Sequence, residues 1–123
     1  MPRHDYTELI AWRRAMDLAE AVYAVSREMP MEERFGLTAQ IRRAAASVSA
    51  NIAEGQGRRT SGEFLNSLSI AHGSVRELET QIMLAERLQF IDSKATKDIL
   101  ERAAEVGRLI NGLANALKRE NRQ

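Results

Sequence analysis

A chain of 123 residues, with 44% hydrophobic residues, 28% charged residues and no cysteine, has the size and balance of one folded domain; it excludes a disulfide framework, a thiolate metal site and a cysteine nucleophile. A formal net charge of +1 argues against a uniformly basic nucleic-acid glove. No apolar run approaches the roughly 18 residues of a membrane span, and the opening MPRHDYTEL lacks the apolar stretch of a secretory signal, so a cytoplasmic protein is the default expectation.

Helical spacing organises the chain. Leu9, Trp12, Met16, Ala19 and Tyr23 form a three-four stripe that predicts a first helix over 7–29, ended at Met29-Pro30 because proline disfavours helix in the residue before it. After the acidic turn MEERFG, the stripe Ile41, Ala45, Val48, Ile52 predicts a second helix over 37–55, with Gly55 and Gly57 as terminators. Thr60 and Glu63 have capping-box spacing at the start of a third helix over 61–88, whose seam runs Phe64, Leu68, Ala71, Val75, Leu78, Ile82, Ala85 and through Leu88. A fourth, over 93–118, begins near Asp92 or Ser93 and repeats the seam with Ile99, Ala103, Val106, Ile110, Leu113 and Leu117. No strand-like alternation competes. Short connections make neighbouring helices antiparallel, so the expected fold is all-α: one up-down-up-down four-helix bundle domain over 1–123.

One stretch does not fit an ordinary amphipathic helix. In QIRRAAASVSANIAEGQGRR, Gln40 to Arg59, small and polar residues stand where leucines belong. On a helical wheel Gln40, Arg43, Ser47, Ala50, Asn51 and Glu54 gather away from the apolar face, and Ser74, Glu77 and Gln81 recur beside the seam of the third helix. Folding the two helices back about Gly57 predicts a polar seam of Gln40, Arg43, Asn51, Glu54, Ser74, Glu77 and Gln81, with Arg43 and Glu77 as a buried or half-buried pair. Gly73, costly inside a helix, would let the alanine-rich segment approach.

Charge distribution adds a second reading. Between Gly36 and Gly62 lie four arginines and one acid, and 15 of the 18 basic residues are arginine. Arginine suits bidentate contact with phosphate or carboxylate, and buried or interfacial ion pairs account for the bias more readily. Arg58 and Arg59, on the expected turn, and Arg42, facing away from Arg43, are the candidates for phosphate contact.

Catalytic readings find little support. Gly55-x-Gly57 follows a helix rather than a strand and lacks the third glycine of a dinucleotide site. Gly57 to Gly62 begins a phosphate-loop spacing, but Glu63 stands in the lysine position. A di-metal bundle needs Glu-x-x-His pairs, whereas the histidines are His4 and His72 and Ser69 stands three before the latter. Glu54 and Glu77 read better as arginine partners than as an acid–base pair. No catalytic, cofactor-binding or metal residue is expected.

The segments LTAQIRRAAASVSANIAEGQGRR and EFLNSLSIAHGSVRELETQI carry a resemblance. Their Gln-x-Arg-Arg, Asn-Ile-Ala-Glu-Gly and Gly-Ser-x-x-Glu-x-Glu patterns resemble the signature of bacterial four helix bundle proteins, also called 23S rRNA intervening-sequence proteins, and the likeness runs from about Tyr6 to Leu117. That family is similar to the accessory variability determinant proteins of diversity-generating retroelements. The resemblance implies a barrel-like homopentamer and association with RNA or DNA and with a reverse transcriptase. Two function classes follow: a non-enzymatic, oligomeric nucleic-acid-associated module whose weak contacts add by avidity, or a protein-interaction scaffold whose arginines build its own seams. With aromatic residues at 5%, a base-stacking platform for single strands is not expected.

Overall fold

A computed structural model describes residues 5–121. Four helices, α1 (Ile10–Ser26), α2 (Leu37–Gln56), α3 (Ser61–Arg87) and α4 (Ser93–Asn121), account for most of them, with short 3-10 turns at Tyr6–Glu8 and Met31–Glu33 and no strand among the described residues. Each helix packs on its neighbours in the chain and α4 closes against α1, while α1 and α3, like α2 and α4, lie on diagonals. This is the antiparallel up-down-up-down four-helix bundle.

Local chemistry sets the helix ends. The Asp5 carboxylate accepts from the Thr7 amide at 2.9 Å and closes the first 3-10 turn. Leu9 is then extended, so α1 starts at Ile10 rather than at residue 7, and its regular part ends at Ser26 rather than at 29. The Glu33 carboxylate accepts from the Leu37 amide at 3.0 Å, satisfying one of the open donors at the start of α2. Thr60 accepts from Glu63 N at 3.1 Å, the expected cap of α3. Asp92 does the same for Ala95 at 2.7 Å before α4. α3 ends in a Schellman arrangement with no glycine: Gln89 takes φ 64°, its amide donates to Glu86 O, and Phe90 N donates to Ala85 O. The chain turns away there, which leaves Leu88 exposed instead of in the seam.

Three of the four apolar stripes form the core as expected. Ile41, Ala45, Val48 and Ile52 are fully buried, as are the α3 seam from Leu68 to Ala85 and Ile99, Ala103, Val106 and Ile110 of α4; Phe64, Leu113 and Leu117 pack at its edge. The stripe of α1 does not hold. Its buried face is Ala11, Ala15, Leu18 and Val22, one residue earlier than Trp12, Met16, Ala19 and Tyr23 and hence turned by about 100°. α1 is apolar on both faces, so both stripes satisfy the three-four spacing. The small Ala11 and Ala15 allow the closer approach, while the larger amphipathic rings find partners at the rim: Trp12 meets Tyr6 edge-on at 5.3 Å, and Tyr23 lies under a guanidinium.

The glycines also divide differently from their expected roles. Gly55 is buried inside α2, and a Cβ there would come within 2.8 Å of both Phe64 and Ser67 on α3. It sets the α2–α3 distance; Gly57 ends the helix. Gly73 has nothing within 4 Å of such a Cβ and makes no close approach.

Candidate nucleic-acid interface and the α2–α3 seam

The turn between α2 and α3 holds the two exposed arginines of the candidate site. Gly57 N donates to Ala53 O and Glu54 O, Arg58 N donates to Gly55 O at 3.1 Å, and Thr60 starts α3 at once. So tight a connection leaves Arg58 and Arg59 at one end of the bundle with their side chains in solvent. The Arg58 guanidinium lies 3.5 Å from the Glu54 carboxylate, both half or more exposed, an i,i+4 pair of the kind that contributes little in water. Asn51, Glu54 and Arg58 line one cleft between α2 and α3, closed on the other side by Asn66 and Ile70.

Arg42 is not part of that patch. It lies sixteen residues before Arg58, roughly 24 Å along α2 at 1.5 Å per residue. Its Nε donates to Ser26 Oγ at 2.8 Å, and its guanidinium carbon sits 4.9 Å from the centre of the Tyr23 ring. A planar cation placed over a ring and tied to a buried hydroxyl clamps α1 to α2. Sequence reasoning missed this cluster. Tyr23 falls on the apolar stripe expected to face the core, and no local pattern marks it or Ser26 as a partner of Arg42.

The expected polar seam is present in its register and absent in its central pair. Ser47 of α2 and Ser74 of α3 hydrogen-bond at 2.6 Å, half-buried, where the hairpin brings the helices level. Asn51 is half-buried and donates to Ser47 O at 2.8 Å. Gln81 is half-buried too, with Oε1 enclosed and unpartnered among the described residues. Arg43, Glu77, Gln40 and Glu54 are all exposed, and no ion pair joins Arg43 to Glu77. The correction is one of direction. Arg43 precedes Ser47 by four residues, about 40° further round the wheel toward solvent, and Glu77 follows Ser74 by three, about 60° further round.

No group of three or more His, Asp or Glu side chains with metal-ligand geometry occurs among the described residues. His4 lies outside them. His72 is half-buried between α3 and α4, where it lines a groove. No helix among the described residues is long and apolar enough to cross a membrane.

The model of one protein family, described as the 23S rRNA-intervening sequence protein, matches residues 7–112, which takes in α1, the seam, the arginine turn and most of α4. The chain belongs to this family. Its fold is also similar to a crystal structure from Bacteroides thetaiotaomicron, of a protein of unknown function from the S23 ribosomal protein family. The TM-score is 0.79 at 23% identity, with 85% of this chain and 98% of that chain covered, a likeness of fold alone. No functionally curated protein matches the chain.

Proposed function

We propose that this 23S rRNA-intervening sequence protein family member is a non-enzymatic, cytoplasmic accessory module that associates with nucleic acid through the Arg58–Arg59 turn and works as a homo-oligomer. The observation that carries the reading is the placement of two adjacent guanidinium groups, both solvent-exposed, on the tightest turn of the bundle. Arginine forks fit phosphate oxygens, and contacts of that kind set affinity without reading sequence. The family's name, 23S rRNA-intervening sequence protein, is consistent with it.

The double variant Arg58→Ala/Arg59→Ala tests this. Both sites are exposed, so unfolding free energy should change by no more than about 0.5 kcal/mol. Binding to a labelled duplex should weaken, and the slope of log affinity against log salt should become shallower by about 1.8 if each arginine neutralises one phosphate of B-form DNA. Equal affinity and equal slope in parent and variant would remove the turn from the interface.

A homo-oligomer is favoured by α3. Beside its buried seam runs a second row at four-three spacing, Ile70, Ser74, Glu77, Gln81, Leu84 and Leu88, in which Ile70, Leu84 and Leu88 are 50%, 45% and 49% exposed. Ser74 of this row faces α2, and the three exposed apolar side chains beside it are what a further protein surface would cover. The number five, and a reverse transcriptase partner, rest on the resemblance. Light scattering at micromolar concentration should give a multiple of the 13.8 kDa protomer mass, and Leu84→Arg should return it to the protomer with helicity kept. A parent protein found only as a monomer would defeat the assembly. The same exposed leucines favour the second reading, a protein-interaction scaffold without nucleic-acid contact, which complete absence of nucleic-acid binding at low salt would select.

A further inference from the structure

Away from the arginine turn, α3 and α4 leave a groove between them. Two contiguous cavities of about 230 and 260 Å³ share His72 and Asn111 as walls. The groove exists because α4 presents Ala103, Ala104 and Gly107 there, with no long side chain to fill it. Gly107 is buried, and a Cβ on it would sit 3.8 Å from His72 Nε2, so the imidazole edge lies directly above this low floor.

The groups around the floor are donors. Arg76 follows His72 by one turn of α3, and Arg108 and Asn111 face them from α4; Lys118 stands at the far end. Arg76 donates to Glu79 at 3.1 Å and keeps further N–H groups, its side chain being 71% exposed. His72, Arg108 and Asn111 have no hydrogen bond or ion pair among the described residues. Glu79 is the one acid lining the groove, against two arginines and a lysine. Arginine and asparagine supply planar pairs of donors, the complement of an oxyanion with several acceptor oxygens.

We propose that the α3–α4 groove is a phosphate-binding site, in which Arg108, Arg76, His72 and Asn111 donate to phosphoryl oxygens seated over Gly107. The site is separate from the Arg58–Arg59 turn and does not rest on the reading of that turn. A phosphoryl group reaches it either as a free phosphate compound or as the backbone of a nucleic-acid strand, and the two sources offer the same oxygens.

The test follows the ¹⁵N-labelled His72 imidazole by NMR while pyrophosphate, and separately a short single-stranded RNA, is added at constant ionic strength. A saturable shift of the His72 signal is expected. Arg108→Ala should raise the half-saturating concentration at least tenfold. Gly107→Leu, which fills the floor without changing charge, should abolish the shift; its Cβ would meet only His72, at ordinary contact distance. Both variants should keep the parent's melting temperature to within a few degrees, which separates loss of binding from loss of fold. Saturation by both probes assigns the site to a nucleic-acid backbone, and saturation by pyrophosphate alone assigns it to a free phosphate compound. No shift with either probe, a shift that sodium chloride reproduces, or a Gly107→Leu protein that titrates like the parent would overturn the proposal. So would a failure of RNA binding to weaken in Gly107→Leu if RNA were the only probe to shift His72.

Discussion

Leu18→Ala should lower the free energy of unfolding by about 2–5 kcal/mol, the range for deleting a fully buried leucine side chain, whereas Met16→Ala, two residues away, should cost under about 1 kcal/mol. Leu18 is 0% exposed in the centre of the core and Met16 is 38% exposed. Removing the leucine loses its transfer free energy and leaves a void between helices already held apart by their other side chains. Met16 keeps over a third of its surface in water and lies outside the core, so truncation removes less burial and leaves no enclosed void. Against a total stability of order 5–15 kcal/mol, the first change threatens the fold and the second does not. Urea unfolding of the two variants decides it. If Met16→Ala proved the more damaging, α1 would be turned by about 100° from the orientation described, and the stripe Trp12, Met16, Tyr23 would face the core.

Gly55→Val should destabilise the bundle by about 3 kcal/mol, at the upper end of the range for overpacking. Already the first carbon of any side chain would stand 2.8 Å from Phe64 Cδ1 and from Ser67 Cβ. Neither neighbour is the loose end of a long chain, so relief requires α2 and α3 to separate. Glycine inside a helix is disfavoured by about 1 kcal/mol relative to alanine, and the better helix former offsets only part of the clash. Gly57→Ala is the matched control. Its Cβ would lie 3.6 Å or more from the nearest atoms and its φ is −84°, which any residue adopts, so it should melt within a few degrees of the parent. A Gly55→Val protein with the parent's thermal melt would show that α2 and α3 do not meet so closely.

Gly55 and Gly57 illustrate how far local pattern carries. Two glycines two residues apart at the end of an apolar stripe read alike as terminators, because helix propensity and capping statistics see only the chain's own neighbours. What makes one of them indispensable is Phe64, nine residues on and across a turn. The same limit explains Arg43 and Glu77. Their level on the two helices follows from the turn, but a difference of about 40° to 60° in direction separates a half-buried hydrogen bond, as between Ser47 and Ser74, from two solvated charges. Arg42 was legible only as a cation facing away from Arg43, since nothing in the sequence says that Tyr23 and Ser26, on another helix, lie under it.

The sequence by itself determined the number of helices, their order and most of their ends. Capping at Thr60 and Asp92, the break at Met29-Pro30 and the apolar periods of α2, α3 and α4 are interactions between residues a few positions apart, whose physics is complete within a turn or two of chain. It also carried the family patterns and the arginine pair on the turn. Tertiary structure alone decided which of the two apolar faces of α1 enters the core, which glycine separates α2 from α3, which arginines are clamped and which stand in solvent, and that small residues on α4 open a groove beneath His72. Each of these depends on distance across helices from different parts of the chain. Close packing is sensitive to single methyl groups there, and helical periodicity carries no record of it.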